Sequence, residues 1–195
     1  MITKRKQRLQ TFLLLGLISI FSLSACKESP VVVEPGIEQN REIPTPGATL
    51  SLTGEGIVME ESVIVQTANF GSGTNIAVEA VSAALGQPVD TQTSSECPAG
   101  PMTFTTWDNG FTINVIDDEF VGWSINSEET VLKTDRGIGV GSLRTDLESA
   151  YDTDVQSTTL GTEFNAENSL FGILASDASD AEITNLWAGI ACNFR

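Results

Sequence analysis

The sequence predicts an α+β fold in which two helix-plus-antiparallel-strand repeats place their helices on one face of an antiparallel sheet. Three observations carry that expectation. A glycine-rich turn opens a helical stretch twice, at Phe70-Gly71-Ser72-Gly73-Thr74 and at Ile138-Gly139-Val140-Gly141-Ser142. Short extended segments bounded by turn residues follow each helix. Each series ends in a segment holding a tryptophan, Trp123 in the first and Trp187 in the second. On this plan residues 50–195 form one domain with repeats at 68–125 and 136–192.

Order begins at Leu50-Ser51-Leu52, before a Gly54-Glu55-Gly56 turn and a second extended stretch from Ile57 to Val65. The first helix carries Val81, Ala84 and Leu85 on its apolar face and stops at Gly86 and Pro88. Met102 to Trp107 and Phe111 to Ile116 flank Asn109-Gly110, a strong hairpin signal. Asp117-Asp118-Glu119 then turns the chain into Phe120 to Ile125. In the second series Leu147, Ala150 and Tyr151 form the helix face, and Thr145 with Glu148 makes a capping box at its start. Strands follow at Gly161 to Phe164, Leu170 to Ala175 and Ile183 to Ile190, with an acidic turn from Asp177 to Asp180. Aligning the glycine turns and aligning the helix faces require offsets that differ by two residues. Over roughly residues 68 to 192 the plan resembles the tandem repeat of β-lactamase inhibitor proteins and, more loosely, the helix-plus-sheet fold of SmpA/OmlA-type outer-membrane lipoproteins. The resemblance implies a fold and carries over no binding residue.

Ahead of this domain, Lys4, Arg5, Lys6 and Arg8 precede an uncharged run from Phe12 to Ala25. That run falls short of the roughly 20 apolar residues needed to span a bilayer, so residues 1–25 read as a removable signal peptide. It closes on Leu23-Ser24-Ala25-Cys26, which resembles the lipobox of bacterial lipoproteins. The resemblance implies cleavage before Cys26, acylation of its thiol and new amine, and a cell-envelope location with the membrane as partner through the lipid. Several acyl chains hold a protein on a bilayer where one binds marginally. Lys27 follows the cysteine where an aspartate favours inner-membrane retention in such lipoproteins, implying an outer membrane facing the periplasm in a Gram-negative cell. Residues 26–49 read as a tether, with Pro30, Pro35, Pro44 and Pro46 among acidic residues and little to bury.

The whole chain carries a net charge of −16. Removing the four basic residues of 1–25 from the total of 10 leaves six against 26 acidic residues, a net charge near −20. Such a surface repels phosphate backbones and anionic headgroups, so nucleic acid is excluded as a partner. Acylation of Cys26 leaves Cys97 and Cys192 as an even pair, expected to form a disulfide in an oxidising compartment.

The chain contains no histidine, which removes histidine-dependent triads, the metalloprotease helix motif and histidine metal sites. Gly137 to Ser142 fits neither the dinucleotide fingerprint nor the Walker loop and reads as a turn. The carboxylates of Asp117, Asp118, Asp177 and Asp180 are candidate cation ligands, although neither cluster has the twelve-residue calcium loop. No catalytic residue and no cofactor are expected. The leading expectation is a non-catalytic envelope lipoprotein that presents an acidic domain to an envelope protein. The alternatives are binding of a small ligand or divalent cation, or inhibition of a secreted or periplasmic enzyme.

Overall fold

A computed structural model of the chain describes residues 47–167 and 169–193. The signal segment, Cys26 and most of the tether lie outside the described residues. The described chain is mostly β, in two sheets.

The first sheet comes largely from residues 49–69. Strands β1 (Thr49–Thr53), β2 (Gly56–Glu61) and β3 (Ile64–Asn69) form an antiparallel meander, and β8 (Lys133–Thr134) pairs in parallel with β1, in the order β3-β2-β1-β8. Leu50 and Leu52 on β1, with Ile57 and Met59 on β2, are buried together.

The second sheet has eight antiparallel strands in two meanders. The first is β4 (Asp90–Ser94), β5 (Met102–Thr106), β6 (Phe111–Ile116) and β7 (Glu119–Ile125). The second is β9 (Thr153–Thr158), β10 (Gly161–Ala166), β11 (Leu170–Leu174) and β12 (Ile183–Gly189). They meet at β7 and β12, giving the order β4-β5-β6-β7-β12-β11-β10-β9. Each meander has a register shift at the corresponding place, between Asn114 and Val115 and between Ile173 and Leu174. The Asn109-Gly110 pair sits in the β5–β6 hairpin, where Gly110 takes φ 79° and the Asn109 carbonyl oxygen Oδ1 accepts from Phe111 N at 3.2 Å. Asp117 and Asp118 turn β6 into β7 with φ values of 51° and 63°, a left-handed pair that aspartate tolerates.

The expected α+β plan is thereby corrected. There are two helices among the described residues, α1 (Thr74–Leu85) and α2 (Arg144–Ala150), and they do not form a layer on one sheet face. The inner face of the large sheet contributes Phe111, Ile113, Trp123, Phe164 and Leu170 to the same buried cluster as Leu50, Leu52, Ile57 and Met59 of the small sheet. Residues 50–65, read as a lead-in, thus take much of the role assigned to the helices. The helix α1 packs on β1, β2 and β3, burying Ala77, Ala80 and Val81, whose small side chains permit a close approach. It ends at Gly86, at φ 81°.

The capping box is corrected too. Leu143 occupies the N-cap of α2, no side chain caps it, and Glu148 instead pairs with Arg144 at 2.7 Å. With seven residues, about two turns, α2 buries only Leu147. Strands β4 and β9 were not anticipated, because Asp90-Thr-Gln-Thr-Ser94 and Thr153-Asp-Val-Gln-Ser-Thr158 lack a sustained apolar alternation. They are the outer strands of the large sheet, where little is buried.

Trp123 ties the two sheets together. Its ring is fully buried, and Nε1 donates to the carbonyl oxygens of Thr53 at 2.9 Å and Gly56 at 3.1 Å. Trp107 is buried with its Nε1 donating to Gly86 O at 2.7 Å, which fixes the end of α1. Both tryptophans satisfy a polar edge while burying an apolar ring.

Candidate functional site

Of the residues singled out in the sequence, Cys97 and Cys192 are brought together as expected and the acidic candidates are not. Cys26 lies outside the described residues. Cys97 and Cys192 are joined by a disulfide linking the loop after β4 to the tail after β12. Asp117 and Asp118 are exposed in the turn before β7, and Asp177 and Asp180 are exposed in the turn before β12. Because β7 and β12 are antiparallel, the two acidic turns stand at opposite ends of the central strand pair. Among the described residues no three His, Cys, Asp or Glu side chains are gathered where they would hold a metal ion. Also among the described residues, no helix is long and apolar enough to cross a membrane.

The outer face of the large sheet carries a concavity. Alternation along paired strands places Thr106, Thr112, Ser124, Trp187 and Phe171 in one row across this face. Phe104 and Asn114 form part of a neighbouring row. A cleft here is lined by Phe104, Asn114, Asn126, Asn185, Trp187 and Asn193, and no charged side chain lines it. An adjoining hollow shares Phe104, Ser124 and Asn126 and extends over Thr106 and Thr112 to Gln92 and Asp90 on β4. The tail supplies one wall: Ile190 N donates to Val121 O at 2.8 Å, and Asn114 Nδ2 donates to Ile190 O at 2.8 Å. The Cys97–Cys192 bond fastens that wall. Asn114 is 1% exposed, and its Oδ1 has no donor among the described residues. Trp187 stacks on Phe171 with ring centroids 6.3 Å apart and planes inclined by 19°.

Trp187 is 7% exposed, and no local pattern in the sequence marks it, Phe104 and the asparagines as one group. Strand parity held the missing signal: Trp187 pairs with Ser124, while Trp123 pairs with Ala188, so the two tryptophans point to opposite faces.

A second surface is the free edge at β3. This strand ends the small sheet, and its hairpin tip turns at Ser62 with φ 53°. Val63, Ile64 and Val65 are 95%, 58% and 63% exposed. From Ser62 to Asn69 there is no charge, whereas the outer strands of the large sheet carry Asp90 and Asp154.

The described ion pairs have structural roles. Arg136 donates to both carboxylate oxygens of Glu167, at 2.7 and 3.1 Å, and to Ala150 O at 2.8 Å at the end of α2. Its guanidinium carbon lies 4.4 Å from the centroid of the Tyr151 ring. The Arg136 hydrogen bonds hold the Glu167 carboxyl below the usual carboxylate range and raise the Arg136 guanidinium. Burial pushes the Tyr151 phenol upward.

A mostly antiparallel β domain with an uncharged cleft and an apolar free edge defines a class of structure without naming a biochemical activity. No family model matches the sequence, and no curated protein matches it. Among solved structures, the chain is similar to the uncharacterized protein yfeY from Escherichia coli, with 13% identity and a TM-score of 0.42 over 63% of this chain and 97% of that one. A likeness of that degree transfers neither fold family nor function.

Proposed function

We propose that this protein is a non-catalytic, lipid-anchored envelope protein whose acidic domain receives a protein partner at the β3 edge. Acylation at Cys26 attaches it to the membrane, and residues 26–49 hold the domain away from the surface. The β3 edge carries the reading. An exposed apolar strand edge offers backbone hydrogen bonds and side-chain contacts to an added strand, and soluble proteins ordinarily protect such edges with charge, proline or a cover. In a chain of net charge −16, an uncharged edge also lowers the electrostatic cost of approach.

A photo-crosslinking residue at Val63 or Val65 in the full chain, expressed in its own cells, tests this reading. It should capture a discrete envelope protein that is not captured from Thr91 or Thr93 on β4, and Ile64→Lys should abolish the adduct. No adduct at β3, or the same adducts from both edges, would refute it; an adduct twice the chain's mass would identify self-association instead. Metabolic labelling with a fatty-acid analogue tests the anchor separately, with label expected on the protein and lost in Cys26→Ala. An unlabelled wild-type protein would overturn the anchor.

A further inference from the structure

We infer that the outer-face cleft is a binding site for an uncharged oligosaccharide, distinct from the β3 edge. Its lining is the first reason. The chain has 26 acidic residues, yet the cleft between β5 and β11 presents Asn114, Asn126, Asn185 and Asn193 with Ser124 and no charged side chain. A cation would meet no carboxylate there, and an anion would meet no compensating positive charge in a strongly acidic protein. Carboxamides both donate and accept hydrogen bonds, as sugar hydroxyls do. Asn185 Oδ1 accepts from Thr184 Oγ1 at 3.0 Å, directing its amide nitrogen to donor service.

Aromatic placement is the second reason. Phe104, partly buried, and Trp187, 7% exposed, line the cleft on opposite sides of the β7 strand, and Phe171 stacks on Trp187. Aromatic surfaces cover the C–H faces of a sugar ring while the amides address its hydroxyls. The shared Phe104, Ser124 and Asn126 make the cleft continuous with the hollow over Thr106, Thr112 and Gln92, at whose β4 end stands one carboxylate, Asp90, which accepts from Gln92 Nε2. From β4 to β11 this groove crosses five strand spacings, roughly 24 Å, a length suited to several linked sugars. A peptide strand fits this place less well, because the central strands are already paired on both edges and offer it no backbone partner.

The full chain should be titrated with neutral hexasaccharides of glucose and of N-acetylglucosamine, with tryptophan fluorescence and side-chain amide NMR signals as readouts. At least one should perturb Trp187 fluorescence and the Asn126 and Asn185 amides in a saturable manner. Asn126→Ala, which alters an exposed residue, should weaken that binding about fivefold, the equivalent of one hydrogen bond. Reduction of Cys97–Cys192, by releasing the tail beyond Ile190 and with it Asn193, should weaken it further. No response to any saccharide, or binding unaffected by both Asn126→Ala and Asn185→Ala, would overturn the proposal. A response only to an uncharged Ser/Gly peptide would overturn it in favour of a peptide groove.

Discussion

Removing the Cys97–Cys192 bond should lower stability by an amount set mainly by the unfolded chain. The bridge spans 95 residues, from the loop after β4 to the tail after β12. Closing a loop of that length removes conformational entropy worth about 4.7 kcal/mol near room temperature in the chain-entropy treatment, within the span of about 2–5 kcal/mol for losses of native bridges. The tail retains its hydrogen bonds to Val121 and Asn114 after reduction, so little of the native sheet is directly disturbed. Those bonds exist in the folded state and place no restraint on the unfolded chain. A loss of about 3–4.5 kcal/mol is therefore expected, corresponding to a fall in melting midpoint of about 9–14 °C at about 3 °C per kcal/mol for a domain of this size. Circular dichroism melts of the oxidised full chain, its reduced form and the Cys97→Ser/Cys192→Ser double variant measure it. A fall below about 3 °C in both altered forms would refute the reasoning, because the bridge would then not be restricting the unfolded ensemble.

Trp123→Phe should cost about 2–4 kcal/mol in chemical denaturation, since it creates a void and removes the donor shared by Thr53 O and Gly56 O; an unchanged midpoint would separate Trp123 from sheet docking. Gly172→Ala should destabilise by about 2 kcal/mol or more, because a Cβ there would overlap Asn185 O and the Phe164 ring. A neutral result on the same assay would disprove that close approach. The raised Tyr151 phenol makes its contribution fully present below the unfolded pKa and lost as pH rises through the folded one. Melts above about pH 10 should therefore fall more steeply for wild type than for Tyr151→Phe, and ultraviolet titration of the single tyrosine should show late ionisation. Calcium should leave the melting midpoint unchanged, since the acidic turns lie at opposite ends of β7 and β12; a concentration-dependent rise would restore Asp117, Asp118, Asp177 and Asp180 as ligand candidates.

Local chemistry was the most legible part of the fold. The Asn109-Gly110 turn, the strands Met102–Thr106 and Phe111–Ile116, and the glycine that ends α1 are short-range features whose cause lies within a few residues. The fold class was misread because the helices were given the covering role. The sequence near Leu50 to Val65 resembles any pair of extended segments, and its docking depends on Trp123, some 70 residues away. The Thr145–Glu148 pair failed as a cap because Leu143 begins α2 and Arg144 draws Glu148 into an ion pair. The cleft was hidden for a related reason. Its residues come from at least five strands, and a single strand's composition does not identify which of its two faces will be covered.

The sequence alone determined the charge balance, the absence of histidine chemistry and the local turn signals, because these depend on residue identity or short-range backbone preference. It also left Cys97 and Cys192 as the expected pair on the reading of Cys26 as a lipidation site. Tertiary structure decided that β1 and β2 cover one face of the large sheet, leaving Trp187 on the other with a half-open cleft and β3 with an unpaired edge. Those outcomes rest on register, in which a shift of one residue exchanges every side chain between faces. Such information exists only when distant strands have paired.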